Sequence, residues 1–509
     1  GISDALNADE EDANSLLINP LISLRDNDTR KERINYNLAG SITWEIIKDL
    51  KLKAEVGYDD YRNNADRYYG VTTYYVRNNV DDEDKSKPAI SFTRGTRTAF
   101  RSTNTLSYDF KKFFKNNKNH LNLLAGQEYI VTRERELRNV VHGFPTEYTA
   151  DDCINYSTKG NPYEVTNYGY PDDVLFSFFG RANYDFDSKY LFSATFRADG
   201  SSRFAKRNRW GYFPSASLAW AFGREKFVSN PLPWLSNGKL RLSWGLTGNN
   251  RIGDFDYMAQ LVTSSNVYKY PWDSSFYPGY VLGSMANEKL KWETTEQWNA
   301  GLDLGFFDER IGITMDIYRK TTRDLLLDAS LPFSSGYYSA TKNIGKVRND
   351  GLELSLNTVN FQTRAFKWTT NFNISFNKNK VLALSENQTA LLTAAQFDQN
   401  YNGQSSYIAK VGLPMGLMYG YVYEGTYKYD DFNKSGNSYS LKPGVPHYST
   451  ETNTQPGMPK YADLNGDGVV DSNDRTIIGR GLPIHTGGFT NNFEYKGCLL
   501  YTSPSPRDA

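Results

Sequence analysis

The sequence predicts an all-β fold, specifically a transmembrane antiparallel β-barrel with long loops. Three observations predict it. Aromatic residues make up 15% of the 509 residues, with 37 Tyr and 29 Phe, while hydrophobic residues reach only 39%. Apolar and polar residues alternate in segments of about ten residues, which is the length of a tilted membrane strand. The connections between these segments alternate between short and long, as in barrels whose two rims differ.

The first predicted hairpin shows the alternation most clearly. The apolar face of its first strand holds Ile34, Tyr36, Leu38, Ile42 and Trp44. After a turn near residue 47, the apolar face of the second strand holds Leu50, Leu52, Ala54, Val56 and Tyr58. Further strands with the same pattern begin near Phe176, Tyr190, Trp298, Ile311, Leu352 and Trp368. We place roughly fourteen strands in all, with boundaries uncertain by a few residues.

The connections between predicted strands fall into two length classes. Short ones lie near residues 47, 187, 308 and 363, and long ones cover 63–94, 138–173, 250–293, 321–348 and 428–484. An outer-membrane barrel has tight periplasmic turns on one rim and long extracellular loops on the other. A soluble β-fold is the alternative, and so many alternating segments are hard to fit into one sandwich.

Tyr and Trp residues recur near the predicted strand ends. They include Trp44, Tyr58, Tyr61, Tyr184, Tyr190, Trp210, Tyr212 and Trp220. An aromatic girdle at the lipid headgroups and the general β-propensity of aromatic residues explain this placement equally well. The pattern therefore leaves both interpretations open.

Composition and motifs exclude several other classes. Lys+Arg and Asp+Glu are 58 each, so no global positive field favours nucleic-acid binding. No run approaches the roughly 20 apolar residues of a spanning helix. Cys153 and Cys498 have neither a disulfide framework nor metal-ligand spacing. The four His are scattered and no nucleophile elbow or Walker loop occurs, so we expect no enzyme activity. The chain opens without a signal peptide, so it is either not exported or starts downstream of one.

A calcium-loop-like motif, DLNGDGVVDSND, covers residues 463–474. Calcium prefers six to eight hard oxygen ligands, and its loops place them at alternate positions around a tight turn. The oxygen-bearing positions of this motif are Asp463, Asn465, Asp467, Val469, Asp471 and Asp474. The twelfth residue is Asp where an EF-hand has Glu, so the motif resembles a dockerin-like loop more closely. The pattern predicts structural Ca²⁺, and turns without metal are the alternative.

Aromatic residues are concentrated in the long connection 250–293. They are Tyr268, Tyr270, Trp272, Phe276, Tyr277 and Tyr280. If the lumen binds a sugar or peptide, these side chains are the candidates for ligand contact. Packing among long loops is the alternative, and we favour it for any single residue because exposed apolar patches mark binding only when contiguous.

Several stretches go beyond periodicity. They are SFFGRANY at 177–184, FRADGSSRF at 196–204, RWGYFPS at 209–215, LSWGLTGN at 242–249, LKWETTEQ at 290–297, DLLL at 324–327, NIGK at 343–346 and NDGLEL at 349–354. Together they resemble the SusC/RagA-type TonB-dependent transporters of Bacteroidota. The resemblance implies a 22-strand outer-membrane barrel with a plug, an N-terminal segment that contacts TonB, and a SusD-like lipoprotein as an extracellular lid. It also implies energised import of large ligands such as glycans or peptides.

The resemblance divides the chain into three parts. Residues 1–30 are an incoming loop or strand remnant, and 31–497 are an incomplete barrel with roughly fourteen of the family's 22 strands. Residues 498–509 are expected to be a non-native tail, since they do not alternate and carry Pro504 and Pro506, which cannot donate to a ladder. We expect an importer barrel without its plug. A passive porin and a surface glycan-binding or adhesin barrel remain the alternatives.

Overall fold

The computed structural model describes residues 20–78, 83–110, 118–263, 269–272, 275–331, 333–337, 339–385, 388–394, 405–436, 438–448, 454–496 and 498–502. The strands up to residue 249 are β1 (Asn27–Ile47), β2 (Leu50–Tyr69), β3 (Ala89–Asp109), β4 (Asn119–His142), β5 (Asn161–Gly169), β6 (Asp173–Phe186), β7 (Tyr190–Ser201), β8 (Trp210–Trp220) and β9 (Leu235–Asn249).

The later strands include short ones in loops as well as long ones of the sheet. They are β10 (Gln260–Thr263), β11 (Lys269–Trp272), β12 (Ser275–Pro278), β13 (Tyr280–Ser284), β14 (Glu293–Phe306), β15 (Ile311–Arg323), β16 (Leu326–Ser330), β17 (Ser339–Asn343), β18 (Lys346–Gln362), β19 (Phe366–Ala383), β20 (Ala390–Ala394), β21 (Ser405–Lys410), β22 (Leu417–Gly420), β23 (Tyr423–Thr426), β24 (Phe432–Ser435), β25 (Ser438–Leu441), β26 (His447–Tyr448), β27 (Pro459–Tyr461), β28 (Val469–Val470), β29 (Thr476–Arg480), β30 (His485–Tyr495) and β31 (Cys498–Thr502). The helices are short: α1 (Pro20–Arg25), α2 (Tyr74–Asn78), α3 (Ala150–Asn155) and α4 (Lys226–Ser229). None of the helices in the described part of the chain has the length and apolar character needed to cross a membrane.

One large antiparallel sheet dominates the fold. Its strands follow in the order β1-β2-β3-β4-β6-β7-β8-β9-β14-β15-β18-β19-β30-β31, and β5 pairs with the far part of β4. The all-β class is confirmed, and in the described residues the large sheet has fifteen strands where roughly fourteen were predicted. Within the described residues, β1 and β31 each pair with a single neighbour, so they form the two edges of the sheet.

The register carries one apolar face across the whole sheet. Leu38 lies opposite Tyr58, which lies opposite Phe100. Because side chains alternate with period two, aligned apolar sets stay on one face from strand to strand. We call this face outward, and its side chains are exposed: Leu38 at 67% and Ile42 at 75%. The opposite face, which we call inward, carries mostly polar and charged side chains.

Several predicted boundaries are wrong. The second strand runs to Tyr69 and the third begins at Ala89, so the loop predicted at 63–94 is shorter. The last long connection begins at residue 384 instead of 428, because β19 ends at Ala383 and the next strand of the large sheet is β30. It carries the short strands β20 to β29, which form small separate sheets.

The expectation that no ladder forms after Cys498 is also wrong. Cys498 lies opposite Tyr495, and Thr502 opposite Asn491. A two-stranded ladder needs only backbone donors and acceptors, so the lack of alternation did not prevent it. Pro504 and Pro506 lie outside the described residues, as do residues 1–19. Whether 498–509 is a foreign tail remains a prediction.

Candidate functional site

The inward face is held together by arginines that bridge three or more strands. Arg197 of β7 donates to Glu128 Oε2 of β4 at 2.7 Å and to Ser177 Oγ of β6 at 2.9 Å. It also donates to Asp199 Oδ1 at 2.6 Å, and its guanidinium lies 5.4 Å from the centroid of the Phe179 ring. All these residues point to the polar side of the sheet. The cation is therefore surrounded by acceptors and fixed in position.

A second arginine makes a fork between two carboxylates. Arg241 of β9 contacts both oxygens of Asp303 on β14, with Nε to Oδ2 at 2.7 Å and Nη2 to Oδ1 at 3.0 Å. It contacts both oxygens of Asp316 on β15 at 3.1 and 3.0 Å. Bidentate contacts of this kind are the stronger class of ion pair. The sequence shows these residues at the inward parity, but only the register brings them together.

The family-like motifs meet at the rim where the long loops begin. A buried cluster there consists of Phe204, Phe213, Ile252, Leu290 and Trp292. The Trp292 ring lies 5.5 Å from Phe204 and 5.4 Å from Phe213, and its Nε1 donates to Arg209 O at 2.9 Å. Four of these residues come from three of the quoted motifs, so the motifs have a structural role here.

A polar junction at the same rim joins the 290–297 motif to two further motifs, at 324–327 and 343–346. Asn343 Nδ2 donates to Lys291 O at 2.7 Å and to Asp324 O at 3.0 Å. Lys291 N donates back to Asn343 Oδ1 at 2.8 Å, and Lys291 Nζ lies 2.9 Å from an oxygen of Asp324. Leu326, between these segments, packs against the hydrophobic cluster. The end of the connection between β9 and β14 is thus tied to both ends of the connection between β15 and β18.

The aromatic residues of the connection 250–293 lie on two small hairpins. Tyr270 lies opposite Tyr277 in the β11–β12 hairpin, with ring centroids 5.9 Å apart. Trp272 is exposed at 69% and Tyr280, on β13, at 71%. Tyr268 lies outside the described residues. Phe276 lies in β12 opposite Pro271. Four of the six predicted contact residues therefore present exposed rings on one connection of the long-loop rim.

The calcium-like segment 463–474 forms a tight loop. Asp463 accepts from Gly466 N at 2.7 Å and from Gly468 N at 2.8 Å, and both glycines have positive φ. Asp467 Oδ1 accepts from Val469 N at 2.8 Å. Among the described residues, no three acidic, histidine or cysteine side chains converge on a point that would hold a metal ion. The observed contacts are turn contacts, so calcium binding remains a prediction.

Asp474 closes this loop from inside. Its side chain is fully buried and accepts from Leu464 N at 2.8 Å, Asn465 N at 3.3 Å and Asp471 N at 2.8 Å. The backbone hydrogen bond from Asp471, followed by those from Leu464 and Asn465, lowers the pKa of Asp474 against the opposing effect of burial. The carboxylate is therefore kept ionised and ties the two ends of the motif together.

Both cysteines are free, as their spacing predicted. Cys153 is buried in α3 and Cys498 is exposed on β31. Burial raises the pKa of the Cys153 thiol to about 12. Because the thiolate is the reactive form, the raised pKa lowers the reactivity of Cys153 at neutral pH.

Comparison with known proteins shows the family to which the chain belongs. Residues 3–465 match the family model described as "TonB dependent receptor-like, beta-barrel". The chain belongs to the TonB-dependent receptor family. TonB-dependent receptor P3 of Formosa agariphila is 34% identical over 78% of this chain and 38% of its own length. TonB-dependent receptor SusC of Bacteroides thetaiotaomicron is 34% identical over 64% of this chain and 30% of its own length. The predicted SusC/RagA type is confirmed.

A solved structure shows the same fold. The RagAB peptide transporter superposes with a TM-score of 0.71 at 24% identity, covering 94% of this chain and 48% of that chain. The present chain spans less than half the length of these relatives. The relatives named here are receptors and a transporter, which supports a role other than catalysis.

Proposed function

We propose that this chain forms part of the wall and the extracellular loops of an outer-membrane, TonB-dependent importer of large nutrients. The ligand class is glycans or peptides, and a SusD-like lipoprotein covers the extracellular mouth. Contact with TonB is proposed for the whole receptor. Family membership supports the energised transport, and the sheet supports the membrane location.

The observation that carries the proposal is the continuous apolar face of the large sheet. Trp298 is exposed at 56% and Ile317 at 55%, in the middle of strands whose other face carries ion-pair networks. In water, so many exposed apolar side chains would promote aggregation. In a bilayer the same face is solvated by lipid, and lateral strand pairing satisfies the backbone polar groups.

Uptake by the whole receptor tests the proposal. Cells expressing the full-length gene with its neighbouring lipoprotein gene are given labelled oligosaccharides and oligopeptides, with and without a functional TonB. We expect accumulation of one ligand class that is abolished when TonB is inactivated or the proton gradient is collapsed. Uptake that persists without TonB would contradict the importer and favour a passive porin. Surface binding without uptake would favour an adhesin.

The exposed rings on β11 to β13 are proposed as ligand contacts at the mouth. Aromatic faces stack on sugar rings and on peptide side chains, and stacking needs exposed, contiguous rings. The change Trp272→Ala combined with Tyr280→Ala is expected to lower uptake at least about fivefold, since a lost aromatic stack is worth roughly 1 kcal/mol or more. Trp234→Ala is the matched control, because Trp234 is also exposed (45%) but lies near the short-turn rim, stacked on Phe306.

A calcium ion in the loop 463–474 is proposed as a structural element of the same mouth. The support is the ligand spacing, which supplies an oxygen at each of the six positions that calcium loops use. The role would be to order the connection between β19 and β30. Import does not require it.

A further inference from the structure

The outward face changes character where strands β15, β18 and β19 reach the long-loop rim. Between the apolar residues and the long-loop rim, the outward positions carry six basic side chains and only two carboxylates. The basic set is Arg319, Arg323, Lys346, Arg348, Lys378 and Lys380, and the acidic set is Glu296 and Asp350. We call these residues the outward basic cluster. Its net excess is four positive charges.

The register places the cluster on the outward face. Arg319 lies two positions beyond Ile317, and Asp350 two positions before Leu352, so each shares the face of its apolar neighbour. Asp350 is flanked by Arg319 on one strand and Lys378 on the other. The residues between them, such as Lys320, have the opposite parity and point inward.

Both carboxylates of the cluster are already engaged by arginine. Asp350 accepts a hydrogen bond from Arg319 Nε at 2.7 Å on one oxygen, and its other oxygen lies 3.0 Å from Arg348 Nε in an ion pair. Glu296 pairs with Arg323 and accepts from the indole nitrogens of Trp244 and Trp298. In the described part of the chain, none of the three lysines has an ion-pair partner. The excess charge is therefore available to an external anion.

An apolar groove of about 740 Å³ lies directly below the cluster. Its walls include Trp298, Ile317, Leu352 and Phe376, and the charged side chains Arg319, Asp350 and Lys378 line it as well. Cations above an apolar groove match the order of groups in an anionic lipid, whose headgroup lies at the rim and whose acyl chain extends toward the membrane centre. Basic side chains at a membrane surface each attract anionic headgroups by about 1 kcal/mol.

A second stretch of the same rim shows that the excess is local. On β1 to β3 the outward arginines are matched by carboxylates: Arg30 with Asp28 at 2.9 Å, Arg62 with Asp60 at 3.1 Å and Arg94 with Asp66 at 2.5 Å. Glu32 adds one further outward carboxylate, so that stretch has no positive excess. If the charges served only to keep the rim soluble, the two stretches would not need to differ in net charge.

We propose that the outward basic cluster and the groove beneath it bind a phosphorylated lipid of the outer leaflet. Its phosphates lie against the lysines and Arg319, and an acyl chain fills the groove. The inference rests on the proposed membrane location. It adds a lipid site on the wall of the barrel, remote from the mouth that the nutrient enters.

Native mass spectrometry of the whole receptor tests the site. The receptor is purified in detergent, mixed with phosphatidic acid or phosphatidylcholine, and the lipids retained are counted. The variant Lys346→Gln, Lys378→Gln, Lys380→Gln is expected to bind phosphatidic acid at least about tenfold more weakly. The control variant Lys51→Gln, Lys53→Gln, Lys239→Gln removes the same charge from inward positions and should bind it normally.

Four outcomes would overturn the proposal: equal retention of phosphatidylcholine, equal binding by the two variants, displacement of the lipid by 10 mM inorganic phosphate alone, or no lipid retained. Gel mobility with and without heating confirms that both variants are folded. Because lipid retention is measured without nutrient or TonB, its failure would leave the uptake result intact. A failure of uptake would likewise leave the lipid count unchanged.

Discussion

The two faces of the large sheet differ in chemistry, because one is apolar and the other carries paired charges. On the outward face, Leu352, Leu354 and Leu356 follow one another at alternate positions of β18 and have no polar partners to satisfy. On the inward face, Arg197 pairs with Asp199 of its own strand and with Glu128 of β4, and Arg241 pairs with Asp303 of β14 and Asp316 of β15. The difference shows that the middle of the outward face carries no charge, whereas the inward face is stabilised by charges that compensate each other.

The largest effect on stability is expected from a charge placed among the apolar side chains of the outward face. Leu354 lies opposite Met315 and Ile374, near the middle of the outward face. Leu354→Arg is expected to destabilise the membrane-inserted whole receptor by about 2–4 kcal/mol, because a cation near the bilayer midplane is poorly solvated. Denaturant unfolding from lipid vesicles measures it. Ser355→Arg, one position along and facing inward, is the matched control and should cost less than about 1 kcal/mol.

A smaller effect is expected when an inward network loses its cation. Arg241→Gln leaves Asp303 and Asp316 facing each other without the guanidinium between them. We expect a loss of roughly 1–2 kcal/mol, because the group is about one third exposed and water replaces part of the lost interaction. The same unfolding experiment checks it. Adding Asp316→Asn should recover about half of the loss, and no recovery would show that the pair of carboxylates is not the cause.

A third prediction concerns the loop 463–474, which lies outside the sheet. Calcium titrated into the whole receptor is expected to bind with a dissociation constant of about 10⁻⁴ to 10⁻³ M, as in extracellular calcium modules. Asp463→Asn with Asp467→Asn should weaken binding at least tenfold, since two of the oxygen ligands lose their charge. Isothermal titration calorimetry measures it, and Asp430→Asn on the same connection is the control. Absence of any heat of binding would leave the loop as a set of turns.

The smallest effect is a pH dependence of the same loop. Because the folded-state pKa of Asp474 lies below that of an unfolded Asp (about 3.9), its contribution is complete above that value. The contribution is lost as the pH falls through the lower folded-state pKa. Hydrogen exchange at the amides of Leu464 and Asn465 should therefore accelerate on acidification. In Asp474→Asn the exchange should be faster at neutral pH and no longer depend on this titration.

The comparison of faces also explains how much of the fold could be predicted from the sequence. Where the outward positions of a strand are apolar, period-two alternation determines which face each side chain lies on and the register of the strand. The hairpin around residue 47 was therefore predicted correctly. Beyond the apolar residues, the outward positions of β2 are also polar, as at Asp60, Arg62 and Asp66, so the alternation of apolar and polar residues stops there. The long strands were therefore cut short. The connection between β19 and β30 was misplaced because its strands have only two to six residues.

The candidate site was predictable only where the information is local. The calcium-like loop depends on spacing within twelve residues, and its turns were found where the motif places them. The ion pairs of Arg241 reach Asp303 and Asp316, which lie 62 and 75 positions further along the chain. The sequence could therefore show only that each of these residues has the inward parity. The outward basic cluster was missed for the same reason, since its members come from four strands and become a cluster only through the register.

The most direct test of the central claim is a spin-label scan along β18 in the whole receptor, reconstituted in lipid vesicles. Cys153 and Cys498 are replaced by Ala, and single cysteines are introduced from position 352 to 356. We predict that labels at Leu352, Leu354 and Leu356 are relaxed mainly by oxygen, and labels at Glu353 and Ser355 mainly by a water-soluble nickel complex. Accessibility without a period of two, or with oxygen favoured at the inward positions, would contradict the assignment of these strands to a lipid-facing wall around a polar lumen.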